Sequence, residues 1–327
     1  MKYRMAAAVL VCVLSMPVGA VAQSLRQQCI DMVESSSYEA LCVNVADAME
    51  IVQPRLGIAL SGGNPVPGTA STLGMRLGSL PRTSLAARVT AAPVDLPPIE
   101  RVASTSDVDF AVASVAVDAS IGVFQGFALA PTVGGFGSLD VLGSIGIVPL
   151  PGDEGFRDRS PFTWAAGARL GLMRESFSAP GVSLSAMYRS LGKIEYGGVA
   201  SGLVSGEREA FFRTRDYRVV SLRAVVGKRL VGFGLAGGAG YDRYRADVLI
   251  RVCDPTVPPL CDSVKVIQQD GFSTSRISLF ANASYTLLLV SFVAEAGWQQ
   301  GGDDVTGGTD KIEKGALFGG LAIRVGF

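Results

Sequence analysis

The sequence predicts an all-β chain: a transmembrane antiparallel up-and-down β-barrel of about twelve strands, within about ten to fourteen, preceded by a short N-terminal helical hairpin. Three observations predict it. Segment after segment alternates large apolar residues with small or polar ones. Forty glycines and only 18% charged residues suit a wall that meets lipid outside and must leave room inside. The stretch Leu317 to Phe327 is itself such a strand, with Leu317, Leu321, Ile323, Val325 and Phe327 on one face and Gly320, Ala322, Arg324 and Gly326 on the other.

That stretch, ending on Phe327, resembles the last strand of bacterial outer-membrane β-barrels, in which a terminal aromatic residue serves as the assembly signal. The resemblance implies an outer-membrane location, contact with outer-membrane lipid, and engagement of the barrel-assembly machinery through the C-terminal strand. The other end agrees. Met1-Lys2-Tyr3-Arg4 is a basic start, Met5 to Leu14 is apolar, and Ala20-Val21-Ala22 is a small-x-small cleavage site. Residues 1–22 therefore read as a secretion signal, too short for a membrane helix, and the mature chain is expected to start at Gln23. Cys12 lacks the small residues that precede a lipoprotein cysteine. Together the two ends imply a Gram-negative-type envelope.

Charge excludes one class of partner. The chain has 29 basic and 29 acidic residues, and loss of Lys2 and Arg4 leaves it slightly acidic, so nucleic acid is not expected. Four cysteines follow the signal, in two local pairs, and the periplasm is oxidising. The expected disulfides are Cys29–Cys42 and Cys253–Cys261. Neither pair has the close spacing of a zinc knuckle, so no metal and no cofactor is expected.

Residues 23–54 form the first unit. Tyr38, Leu41, Cys42, Val45, Met49 and Val52 keep the three-four spacing of one helix face, and Ser36 with Glu39 forms a capping box. A shorter helix from Leu25 to Val33 completes a hairpin that either hangs in the periplasm or plugs the barrel mouth.

Residues 55–327 form the barrel. Its strands are phased by outward residues, beginning with Leu56, Ile58 and Leu60, then Leu73, Met75 and Leu77, then Leu85 to Ala91. Residues 108–129 hold a single period-two phase and read as one long strand rather than a membrane helix. The remaining strands are centred on 139–147, 162–172, 182–188, 220–226, 231–241, 277–285, 290–298 and the terminal stretch. With the C-terminus in the periplasm, residues 61–71, 93–107, 149–161, 192–216, 247–273 and 300–314 become external loops, each longer than its periplasmic neighbours. Phe162, Trp164, Tyr188, Tyr217, Tyr241 and Trp298 would form the external aromatic girdle, with Tyr285 and Phe327 at the periplasmic one.

The opposite phase carries charge. Arg55, Arg76, Arg88, Arg169, Arg189, Arg223, Arg276 and Arg324 fall on it, with Asp118, Asp140, Asp242 and Glu295. An arginine facing lipid at the midplane costs about 2–4 kcal/mol, so these residues are expected to line the lumen. Two readings stay open. One is a basic lining that favours anions in a channel for small solutes. The other is a charge network that fills a closed structural or surface-recognition barrel acting through its external loops. The absence of histidine argues against an enzyme, since Ser-His and Asp-His catalysis are both excluded. Asn64-Pro65 near the start of the barrel, together with an N-terminal plug, is faintly similar to fatty-acid-transporter-type barrels.

Overall fold

The structure is a computed structural model. It describes residues 25–327 apart from 33–35, 76–80, 100–105, 129–133, 153–155, 158–159, 178, 198–209, 253–264 and 303–309. The signal segment, Arg76, Cys253 and Cys261 lie outside the described residues.

Two helices come first, α1 (Leu25–Met32) and α2 (Ser36–Ser61). The strands are β1 (Thr83–Leu96), β2 (Val108–Phe124), β3 (Ser138–Ile147), β4 (Phe162–Met173), β5 (Gly181–Leu191) and β6 (Ile194–Gly197). They continue with β7 (Ala210–Leu230), β8 (Phe233–Val252), β9 (Lys265–Leu287), β10 (Val290–Gln299) and β11 (Ala316–Gly326), with a short α3 (Asp310–Glu313) between the last two. Neighbours pair antiparallel, β5 pairs with β7, and β1 pairs with β11. Among the described residues ten strands thus close a ring, and β6 lies outside it along the free edge of β7.

The predicted phases hold on all ten. Outward positions such as Val89, Val117, Leu222, Ile277 and Ile323 are exposed, while their neighbours in sequence are buried. Residues 108–124 are one strand, as the single phase requires. Two-residue turns at Val231-Gly232 and Leu288-Leu289 close hairpins at one end. Val231 and Gly232 both adopt positive φ, the geometry a two-residue hairpin needs to match strand twist. Short turns mark the periplasmic end of such barrels. The length rule fails once, because the periplasmic connection 125–137 exceeds the external 97–107; near its two ends Phe127 and Phe136 form an isolated bridge.

Two of the twelve expected strands are something else. Leu56, Ile58 and Leu60 belong to α2, which runs without a break through Pro54 to Ser61. Val45, Met49, Val52, Leu56 and Leu60 continue one helical face, so five alternating residues were equally compatible with either period. Leu73 to Met75 is extended chain rather than a strand, because the Leu73 N–H is taken by the carboxylate of Asp140 on the wall.

The third correction is one of place. Residues 61–71 are not an external loop, and of the two places open to the N-terminal unit its helices take the mouth of the barrel. The cluster around α1 and α2 includes Leu96, Val108, Leu150, Tyr196, Phe212 and Ile250, all at the end of the wall opposite the two-residue turns. From that external mouth the chain descends through the lumen and reaches β1 at the other end. Cys29 and Cys42 form the expected disulfide between the helices, with Cα atoms 5.6 Å apart.

Tyr217 is also corrected. A bulge between Arg215 and Arg218, with Asp216 at φ 50°, shifts the phase of β7 by one. The shift carries Arg215 outward; Tyr217 keeps the inward phase of Val219, Ser221 and Arg223 and is fully buried instead of joining the external girdle. Phe162, Trp164, Tyr188, Tyr241 and Trp298 face outward as expected, as do Tyr285 and Phe327.

Candidate functional site

The lumen is the site that the sequence singled out, and three tiers of contacts fill it. At the external tier α2 lies against the wall. Gly57 is the point of closest approach: a Cβ there would collide with the Tyr244 ring, so only glycine lets the helix settle. Tyr217 Oη donates to the Gln53 carbonyl at 2.5 Å, and Gln53 Nε2 donates to the Phe272 carbonyl at 3.3 Å. Tyr244 Oη accepts from Gln299 Nε2 at 2.7 Å. Arg55 is a helix residue rather than a wall residue, and its guanidinium donates to the Lys314 carbonyl at 2.8 Å.

The middle tier is the end of α2. The last four carbonyls of a helix have no partner within it. Here Ser114 Oγ donates to the Ala59 carbonyl at 2.7 Å, and Arg88 donates to the carbonyls of Ser61 and Asn64 at 3.3 and 3.4 Å. Arg223 donates to the carbonyls of Gly62 and Gly63 and to Ser61 Oγ, each at 3.1 Å. The positive guanidinia also face the negative end of the helix dipole. Gly62, at φ 59°, ends the helix, with its N–H bonded to the Ile58 carbonyl. The next two amides, Gly63 and Asn64, both donate to the Glu295 carboxylate, at 2.7 and 2.8 Å. Each arginine keeps a carboxylate besides: Arg88 Nε lies 3.1 Å from Asp118 and Arg223 Nη1 2.9 Å from Asp242.

The periplasmic tier holds the descending chain. Arg169 and Asp140 form a fully buried pair at 2.7 Å, and both reach the chain. Arg169 donates to the Thr69 carbonyl at 3.5 Å, while Asp140 accepts the Leu73 N–H. Thr72 Oγ1 meets Ser138 Oγ at 2.5 Å, and Ser71 Oγ accepts the Glu175 N–H at 2.9 Å.

The structure thus places Arg88, Asp118, Asp140, Arg169, Arg189, Arg223, Asp242, Arg276, Glu295 and Arg324 inside the wall. It brings five of the ten, Arg88, Asp140, Arg169, Arg223 and Glu295, onto one segment, Ser61–Leu73. Arg189 donates to Ser221 Oγ and Met187 Sδ, both at 3.3 Å, and Arg324 to Ser291 Oγ at 3.4 Å; neither has a carboxylate partner among the described residues. Arg276 donates to Thr274 Oγ1 at 2.6 Å. The small inward row of β8 accommodates these long side chains: a Cβ at Gly240 would meet Arg223, and one at Gly238 would meet Phe280, which itself packs on Gly63. Sequence reasoning missed Gln53, Ser61, Ser114, Ser138, Tyr217 and Tyr244. Ser114, Ser138, Tyr217 and Tyr244 carry the one available signal, since each shares the inward phase with the charges of its strand or of the facing wall.

A closed antiparallel ring with an apolar outer face and a charged interior can sit only in a bilayer. The chain folds as a membrane-spanning β-barrel. Solved structures of that kind resemble it at the level of the ring. The translocator domain of the autotransporter NalP from Neisseria meningitidis is 10% identical, covers 86% of this chain and 97% of its own, and gives a TM-score of 0.37. The outer-membrane protease OmpT from Escherichia coli is 13% identical, with 79% and 98% covered and a TM-score of 0.36. The toluene transporter TodX from Pseudomonas putida is 7% identical, with 80% and 96% covered and a TM-score of 0.29. No family model matches the chain, and no curated protein matches it. These neighbours differ in what they do, so function rests on this chain's own residues.

Proposed function

We propose that the barrel is closed in its resting state, is not an enzyme, and acts through its external face. One observation carries the reading: Ser61–Leu73 crosses the lumen, and three of the wall arginines that would line an anion pore, Arg88, Arg169 and Arg223, are bonded to its carbonyls. A guanidinium already bonded to carbonyls and a carboxylate is a poor filter for passing anions. The helical cap and the connections 192–209 and 253–264, which lie largely outside the described residues, would supply the surface that is recognised.

A gated channel for small solutes is the second reading. It is favoured by the irregular conformation of residues 62–74, which are tied to the wall mainly by polar contacts. Planar-bilayer recording on the purified, folded barrel separates the two. A closed barrel gives no steady current, and Glu295→Ala, which releases two backbone amides, gives brief openings only if the segment is a gate. Steady anion-selective conductance of the unaltered protein would overturn the closed reading.

A further inference from the structure

About nine to eleven tilted residues span a bilayer as a strand. β7, β8 and β9 have 21, 20 and 23 residues, so they continue well beyond the external lipid surface. On that rise the outer face changes character abruptly. Climbing β8, outward Leu235 and Tyr241 give way to Arg243 and Arg245. Climbing β7, Leu222 and Val220 give way to Arg218 and, past the bulge, Arg215. The register sets Val220 beside Arg243 and Arg218 beside Arg245, so the two strands switch together. The opposite side differs, since the outward residues at the external ends of β1 and β2 are Asp95 and Asp109.

The bulge makes this arrangement. Without it Arg215 would share the inward phase of Tyr217. As it stands, Arg218 is half exposed, and the nearest carboxylate is that of Asp216 at 3.7 Å, itself more exposed still. Arg215 has no ion pair among the described residues. Next to it lies a cleft of about 480 Å³ lined by Phe162, Trp164 and Ser190, with Lys193, Arg215 and the one carboxylate of Asp216 among its charged residues, a net positive set. An aromatic floor at lipid level under a cationic rim matches a molecule with an apolar body and an anionic head. Guanidinium groups bind phosphate oxygens in pairs, which suits them to a phosphomonoester.

We infer that the β5–β7–β8 side of the barrel binds the phosphorylated headgroup of an outer-leaflet lipid. Arg215, Arg218, Arg243 and Arg245 hold the phosphate, and Phe162 and Trp164 hold the apolar part. The inference stands whether or not the lumen opens. Native mass spectrometry of the full-length barrel in detergent tests it, with phosphorylated lipid A and its dephosphorylated form as probes. The phosphorylated form is expected to be retained about tenfold better, and Arg215→Gln with Arg218→Gln to remove most of that preference. Adding Arg243→Gln and Arg245→Gln should abolish it, while heat-modifiable gel mobility stays unchanged. Equal retention of the two probes overturns the inference, as does a preference that survives all four substitutions. Displacement by inorganic phosphate at concentrations matching the lipid assigns the site to a soluble anion and overturns the lipid source. A dimer lost in the same variants, with no lipid preference, assigns the face to self-association and also overturns it.

Discussion

β7 carries arginines of two kinds on one strand. Arg223 faces the lumen, has 2% of its side chain exposed, and sits 2.9 Å from Asp242. Arg218 faces outward above the apolar band, has 51% exposed, and sits 3.7 Å from Asp216. The residue type is the same and each has an aspartate neighbour, but the energetics differ. Inside, removing one partner strands an uncompensated charge. Outside, water and salt screen both members, and such pairs contribute at most about 1 kcal/mol. The lumen arginines therefore hold the molecule together, whereas the pairing of Arg218 at the rim adds little to stability.

The difference can be broken or sharpened by experiment. The largest effect belongs to the periplasmic tier. Arg169→Met leaves Asp140 buried without its cation and should cost about 3–5 kcal/mol, read as a lowered urea midpoint for the folded, heat-modifiable band. A loss under about 1 kcal/mol there would erase the contrast between lumen and rim. Next is the disulfide. Cys29→Ser with Cys42→Ser frees a loop of sequence separation 13 and should cost about 2–3 kcal/mol locally, seen as faster proteolysis of α1 while the wall stays folded. Glu295→Gln weakens two charge-assisted bonds to Gly63 and Asn64, for about 1–3 kcal/mol, and should raise amide exchange at those two positions.

A smaller effect depends on pH. Burial opposes ionisation of Glu195, but Lys193 and Arg213 outweigh it and hold the carboxyl below its usual range. Its contribution is therefore complete at neutral pH and is lost as pH falls through that lowered value. Acid should loosen the β6–β7 pairing first, and Glu195→Gln should make amide exchange on β6 insensitive to that change. The smallest effect is at the rim, where Arg218→Gln should alter stability by no more than about 0.5 kcal/mol.

The wall was legible because a barrel strand has an unusually plain code. Lipid outside and polar contents inside impose period two on every strand, and the charge phase identified inward residues such as Arg169 and Asp242 without a structure. Three things resisted that code. Leu56 to Leu60 is too short to separate a strand from a helix end. A bulge inserts one residue without changing composition, so alternation alone does not show that Arg215 faces outward while Tyr217, two residues on, faces inward with Val219 and Arg223. The partners of the charges were hidden as well, because register between strands is not local. Asp140 lies directly across from Arg169, whereas Arg223 reaches Asp242 diagonally from its register partner Gly240. The segment that all of them grip was read as a loop because its turn residues, Asn64-Pro65 and Gly68, are those of any loop. Asn64 does make such a turn, accepting the Val66 N–H, but inside the wall.

The path of the chain also constrains how the molecule comes together. Chains rarely pass through their own closed loops. This one enters its ring at one mouth, leaves at the other, and carries a cross-linked hairpin on the entry side. Once the first and last strands have zipped, the hairpin, tied by Cys29–Cys42, would have to pass whole through the ring to reach its place. The order of assembly follows: the segment from Ser61 to Leu73 takes its place while the sheet is still an open ribbon, and the wall closes around it.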